Sequence, residues 1–140
     1  MEPKIVVSDA SDKDSEAAIL EQLKAYNVTR FGKSNWQELI ISIRDDQNAV
    51  IGGLVGHTAR GWLYTSLLFI PETMRGKGLG PKLLALAEDE ARKRGCKGAY
   101  IDTMSTDALS VYQKCGYTVF GQIEDFADTE PFTYLKKIFI

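Results

Sequence analysis

The stretch from Trp62 to Ile101 constrains the fold more than any other part of the chain. Trp62 to Ile70 is a run of aromatic and branched residues with strand character. From Leu79 to Arg94 the period changes. Leu79, Leu83, Leu84, Leu86, Ala87 and Ala91 recur at helical spacing and make one wide apolar face. Arg92-Lys93-Arg94 places positive charge in the last turn, where it complements the helix dipole, and Gly95 ends the helix. Ala99-Tyr100-Ile101 then begins another strand. A strand, a helix and a strand in this order predict a right-handed crossover between parallel neighbours.

The flanking segments fit around this unit. Ile5-Val6-Val7 reads as a short first strand. Ser11-Asp12-Lys13-Asp14 offers N-cap residues for a helix that continues through Ala17, Ala18, Leu20, Leu23 and Lys24 and fades near Tyr26 to Phe31, with Gly32 as its stop. Glu38 to Arg44 and Ala49 to His57 read as strands separated by the turn cluster Asp45-Asp46-Gln47-Asn48. Gly52, Gly53 and Gly56 in the second suit a bulge or a close backbone approach. With Trp62 to Ile70 they predict an antiparallel meander. Asp107 to Cys115 reads as a short helix closed by Gly116, followed by strands at Tyr117 to Phe120 and Phe132 to Phe139. The expected class is α/β: a mixed sheet, antiparallel first and then parallel around the Leu79 helix, in a single domain over residues 1–140.

Composition excludes several classes. The chain has 140 residues, 44% apolar and 26% charged, as a compact globular domain requires. No stretch reaches the length of a membrane span, and Met-Glu-Pro-Lys-Ile-Val-Val lacks the layout of a signal peptide, so a cytoplasmic protein with no membrane partner is expected. A net charge of −2 without a basic tract gives no reason to expect nucleic acid. Cys96 and Cys115 are too few for a disulfide framework, and no Cys/His cluster has metal-ligand spacing; reduced thiols and no metal are expected.

The segment Met74-Arg75-Gly76-Lys77-Gly78-Leu79-Gly80 joins the strand to the helix. Three glycines at alternate positions leave backbone N–H groups unshielded at a helix N-terminus, which makes a place for an anion. Arg75 and Lys77 add positive charge, and a pyrophosphate fits such a place. A nucleoside-triphosphate loop would need Ser or Thr after the Lys; Gly78 stands there instead. A dinucleotide fingerprint would need a third glycine where Lys82 or Leu83 stands. A glycine-rich turn without a ligand is the remaining alternative.

Two motifs together carry a resemblance. Arg75-x-x-Gly78-x-Gly80 resembles the Q/R-x-x-G-x-G/A signature of the GNAT N-acetyltransferase superfamily. Further on, Ala108-Leu109-Ser110-Val111-Tyr112-Gln113-Lys114-Cys115-Gly116-Tyr117 is similar to its second motif, A-x-x-x-Y-x-x-x-G-[FY]. The resemblance covers Leu67 to Phe120. It implies an acetyl-CoA-dependent N-acetyltransferase without a metal. The backbone at Leu68, Phe69 and Ile70 would pair with the pantetheine arm, and an N–H there would polarise the thioester carbonyl. Gly76, Lys77, Gly78, Leu79 and Gly80 would hold the pyrophosphate. Arg75 would be a phosphate partner or a loop-shaping residue. Tyr112 would protonate the departing thiolate; without the motif it would read as a core tyrosine on a short helix.

The sequence also departs from the family pattern. Ser105 stands where many members have a cofactor-contacting Asn, and its reach is shorter. The strand before the signature has Tyr64, Thr65 and Ser66 but no carboxylate, which leaves the general base open. His57, the sole histidine, has a suitable pKa but reads more simply as a surface or turn residue. Asp102 is a further candidate. Glu124-Asp125-Phe126-Ala127-Asp128-Thr129-Glu130 could attract a cation but reads as a solvated loop between the last strands. Tyr26, Phe31, Trp36 and Trp62 either line an acceptor pocket or pack. The expected acceptor is an amine, a small molecule before a peptide or protein, because so short a chain is expected to have no extra recognition domain. A domain that binds acyl-CoA without turnover is the alternative, and another donor such as succinyl-CoA stays open. Family members often dimerise through strands near the C-terminus, and Lys136-Lys137-Ile138-Phe139-Ile140 is apolar enough to allow a homodimer.

Overall fold

The computed structural model describes residues 2–128 and 130–140. Met1 and Thr129, the latter within the acidic stretch, lie outside the described residues. The chain divides into two compact units, Met1–Ser34 and Asn35–Ile140.

The first unit is built on one helix, α1 (Lys13–Phe31). Asp12 caps it by accepting from the Ser15 N–H at 3.0 Å, and Gly32, at φ +81°, closes it with a bond from its N–H to the Val28 carbonyl. The expected strand at Ile5-Val6-Val7 does not form; these residues are irregular and exposed. A strand exists only through a ladder with another strand, and this unit contains no other among its described residues. Branched apolar composition alone could not supply one.

The second unit holds a six-stranded sheet: β1 (Gln37–Arg44), β2 (Val50–Ala59), β3 (Trp62–Phe69), β4 (Gly98–Thr103), β5 (Thr118–Ala127) and β6 (Glu130–Ile138). Their order is β1-β2-β3-β4-β6-β5. The first three form the expected antiparallel meander. β3 and β4 form the parallel pair, and β6 inserts antiparallel between β4 and β5. Helix α2 (Leu79–Lys93) makes the β3-to-β4 crossover, and α3 (Thr106–Lys114) follows β4.

Both helices lie on one face of the sheet. Leu83, Leu84, Ala87 and Ala91 of α2 and Tyr112 of α3 share a core with Leu39, Leu54, Leu63, Ala99, Ile101 and Leu135 from alternate strand positions. Burying such apolar side chains stabilises the fold by roughly 1.5–3 kcal/mol each. One polar cluster joins this core. Glu88, only 4% exposed, accepts from Lys137 Nζ at 2.7 Å and from the Tyr117 hydroxyl at 3.1 Å. Lys137 also donates to the Cys115 carbonyl at 2.9 Å. The cluster pins the end of α3 to α2 and β6.

One expectation about the C-terminal part changes. β5 runs on to Ala127, so Glu124 and Asp125 are strand residues and the acidic stretch is not a free loop. The ladder with β6 is irregular between Ile123 and Ala127, and Asp125 has φ +54°. Phe126 packs on Phe132 at 4.8 Å between ring centroids, which gives the acidic segment an apolar reason to stay paired. β6 itself is bonded on both sides, so its backbone offers no edge to a second copy; the edge strand at this end is β5.

Candidate active site

β3 and β4 pair over only four rungs, from Trp62 opposite Gly98 to Thr65 opposite Ile101. Beyond that point β3 continues to Phe69 bonded to β2 alone, and β4 continues to Thr103 bonded to β6 alone. The two strands therefore fork. The cause is local. Val55 pairs with Leu67 and Gly56 with Thr65, so Ser66 is an extra residue in β3, a bulge that bends the strand away. The Ser66 hydroxyl donates to the Val55 carbonyl at 3.1 Å and fixes it. Gly56, opposite the bulge, has no room for a Cβ beside the Tyr64 carbonyl.

Because β3 and β4 are parallel, the starts of α2 and α3 lie at the same carboxyl end of the pair, beside the fork. Ligands collect at such places in α/β sheets. The α2 end is open. Gly76 and Gly78 sit at φ +76° and +79°, where a side chain would be strained, and a Cβ on Gly76, Gly78 or Gly80 would meet nothing within 4 Å. The first helical bond runs from the Lys82 N–H to the Gly78 carbonyl. Among the described residues the N–H groups of residues 76–80 take no backbone acceptor, and no side chain caps the helix. These donors fit a pyrophosphate. Arg75 closes the loop from outside: its Nε donates to the Ile70 carbonyl at 2.8 Å, and its guanidinium lies over the Phe69 ring at 5.6 Å. That geometry favours loop shaping, and the residue as a whole is exposed.

Leu68 and Phe69 form the β3 limb of the fork, with Ile70 just beyond, and their edge away from β2 has no strand partner. On the helix side of the fork stands Thr65. It is 2% exposed, and its hydroxyl has no partner. Ser105 caps α3: its oxygen accepts from the Ala108 N–H at 3.2 Å. Ser105 thus commits one of its two acceptor positions to the helix and keeps the other, with its hydroxyl hydrogen, for a ligand.

Two tyrosines follow on this side. The Tyr117 hydroxyl is tied to Glu88, and burial with that carboxylate drives its pKa far up. The Tyr112 ring is buried, yet its hydroxyl has no protein partner among the described residues and is not sealed from solvent. Burial first, then the negative charge of Asp102, pushes Tyr112 up to about 12. A phenol held neutral in this way carries a proton that it can donate. Cys96 and Cys115 are free and half-buried, and burial raises both thiols.

The opposite face of the sheet carries side chains that the sequence left scattered. His57 lies on β2 rather than in a turn, stacked on Trp36 with ring centroids 3.6 Å apart. Burial lowers its pKa against the pull of Glu38. Tyr64 donates to Asp102 Oδ2 at 2.8 Å and stacks on Tyr100 at 4.8 Å. Burial, then Asp102, raises the Tyr64 phenol to about 12. Tyr64 had no standing as a candidate; only the parallel register, which sets Tyr64 opposite Tyr100 and two residues short of Asp102, brings it there. Among the described residues no group of three or more His, Cys, Asp or Glu side chains could hold a metal, and no helix is long and apolar enough to cross a membrane.

The acetyltransferase (GNAT) family model matches residues 8–117. The chain belongs to that family. An acetyltransferase of Agrobacterium fabrum is 57% identical over 134 residues, 96% of this chain and 98% of the relative. A crystallised acetyltransferase from Agrobacterium tumefaciens superposes with a TM-score of 0.96 at 55% identity, over 98% of this chain and all of that one (100%). The blasticidin-S acetyltransferase of Streptomyces morookaense is 39% identical over 82 residues, 58% of this chain and 60% of that protein. The mixed six-stranded sheet and its helices are thus those of the GNAT fold.

Proposed function

We propose that this acetyltransferase moves the acetyl group of acetyl-CoA directly to the nitrogen of a small-molecule amine. The observation that carries the reading is one juxtaposition: five free N–H groups at the start of α2, a fork with an unpaired strand edge, and an unpartnered Tyr112 hydroxyl on the helix side of the sheet. Residues 76–80 would hold the pyrophosphate, and Leu68, Phe69 and Ile70 the pantetheine arm. Ser105 keeps its hydroxyl donor and one acceptor position for the cofactor. In the transfer, the neutral amine nitrogen bonds to the acetyl carbon, and the carbon–sulfur bond breaks. Tyr112 passes its proton to the departing thiolate, and the new amide nitrogen releases one to water. The relative named for blasticidin-S supports a small-molecule acceptor rather than a protein one.

The test is Tyr112→Phe with a panel of amines. Wild type should release CoA with at least one amine. The variant should be slower by about 10²–10⁴-fold, as loss of a general acid implies, with acetyl-CoA affinity within about twofold by calorimetry. Unchanged turnover would remove Tyr112 from the chemistry. Acetyl-CoA binding without turnover of any amine would favour a binding module.

A further inference from the structure

The face of the sheet opposite α2 and α3 carries a continuous row of rings. Trp36 stacks on His57 at 3.6 Å, His57 meets Tyr64 edge-on at 5.7 Å, and Tyr64 stacks on Tyr100 at 4.8 Å. The row crosses β2, β3 and β4 and ends at the fork. Trp36 and Tyr100 are exposed; His57, Tyr64 and Asp102 are half-buried.

A carboxylate stands at each end of this row. Asp102 accepts from the Tyr64 hydroxyl at 2.8 Å, and Glu38 accepts from Trp36 Nε1 at 3.2 Å. Each is oriented by a neutral donor. Neither takes part in an ion pair among the described residues, whose three pairs are Arg92–Asp89, Arg94–Glu90 and Lys137–Glu88. A carboxylate has about four acceptor positions, and one bond leaves most of them free. The cation nearest in register is Lys136, opposite Tyr100, whose ammonium lies over the Phe120 ring at 5.7 Å. Burial favours the neutral form of His57, so the row itself adds no repelling charge.

Ring faces attract cations, and a fixed carboxylate adds a directed partner. We infer that the row from Trp36 to Tyr100, with Asp102 at its end, is a recognition surface for an organic cation and selects acceptors that carry a cationic group besides the neutral amine that is acetylated. Asp102 and Tyr100 are its specificity-determining residues, and the Tyr64 hydroxyl positions Asp102. The cationic surface stands on geometry alone; its role as acceptor site rests on the function proposed above.

Benzyltrimethylammonium, which cannot be acetylated, separates the two. It is titrated into the full chain, with tryptophan fluorescence and ring-proton NMR shifts as readouts. Saturable binding is expected in the low millimolar range (a Kd of 1 mM is about −4 kcal/mol), with benzyl alcohol at least about tenfold weaker. Asp102→Asn should weaken the probe about tenfold and Tyr100→Leu about fivefold, both with acetyl-CoA affinity intact, which reports folding. For an amine that turns over, Asp102→Asn should raise KM more than it lowers kcat. Equal binding of benzyl alcohol, no saturation, or unaltered probe affinity in both variants would overturn the inference. Probe binding that responds to Asp102 in a protein that turns over no amine would sink the proposed reaction and leave the cation surface standing.

Discussion

The two ends of α2 treat their backbone groups in opposite ways. At the C-terminal end almost everything is satisfied. The Arg94 N–H reaches Glu90 and Ala91, the Gly95 N–H reaches Arg92, and the Cys96 N–H returns to Ala91. The Arg94 side chain then clamps the helix to the sheet, donating to the Gln37 and Glu38 carbonyls, Thr58 Oγ1 and Glu90. At the N-terminal end the donors of residues 76–80 are left free and the cap is a left-handed glycine. One helix thus has an anchored end and an open one. A short helix keeps an open end only if its other contacts hold it, and the buried face with Arg94 does so here.

The largest expected break in this contrast is Gly78→Val. A branched side chain at φ +79° is strained by about 1–3 kcal/mol and shields the N–H groups beside it. Acetyl-CoA affinity should fall at least about hundredfold by calorimetry (about 2.7 kcal/mol), with a smaller loss of thermal stability. Arg94→Met should give the mirror image. Stability should drop by about 2 kcal/mol in urea melts as the carbonyls lose a charged donor, while acetyl-CoA affinity stays within about twofold. If Arg94→Met weakens acetyl-CoA as much as Gly78→Val does, the two ends are not separable.

A smaller effect with the opposite sign is expected at Thr65. Its hydroxyl is buried without a partner, so Thr65→Val should stabilise the free protein by about 1 kcal/mol. A loss of stability would mean that the hydroxyl is satisfied in solution. The smallest effect concerns pH. Tyr112 stands near 12 against an ordinary value of about 10. A raised pKa favours the neutral phenol, so its stabilising contribution is complete below pH of about 10 and is lost as pH passes about 12. The pH–rate profile at saturating acetyl-CoA should therefore show no loss of the acid below pH of about 11; a fall centred near 10 in wild type, absent in Tyr112→Phe, would contradict the shift.

The anchored and open ends were not equally legible in the sequence. Gly76, Gly78 and Gly80 announce the open end because a glycine pattern is local. The helix period from Leu79 and its stop at Gly95 are local too. Arg94 looked only like dipole charge, since its partners at Gln37, Glu38 and Thr58 are distant in the chain. The same holds for the fork. Ser66 shows as a bulge only once β2 and β3 are in register, and Tyr64 meets Asp102 only through the parallel ladder. The strand assigned at Ile5-Val6-Val7 failed for the complementary reason: composition described a residue type, whereas a strand needs a neighbour. β5 ran past its expected end because Phe126 found Phe132 across the ladder.

Ser66 gives β3 a phase. Leu63 and Thr65 face the helices by plain alternation, and so does Leu68, opposite Leu54, which alternation alone would turn to the other side. The extra residue shifts the count by one. Removing it would exchange the faces of Leu67, Leu68 and Phe69 and turn every backbone donor on that limb of the fork. A substitution along β3 is a misprint of one letter. Loss of Ser66 would be a frameshift, carried in three dimensions as far as the glycine loop.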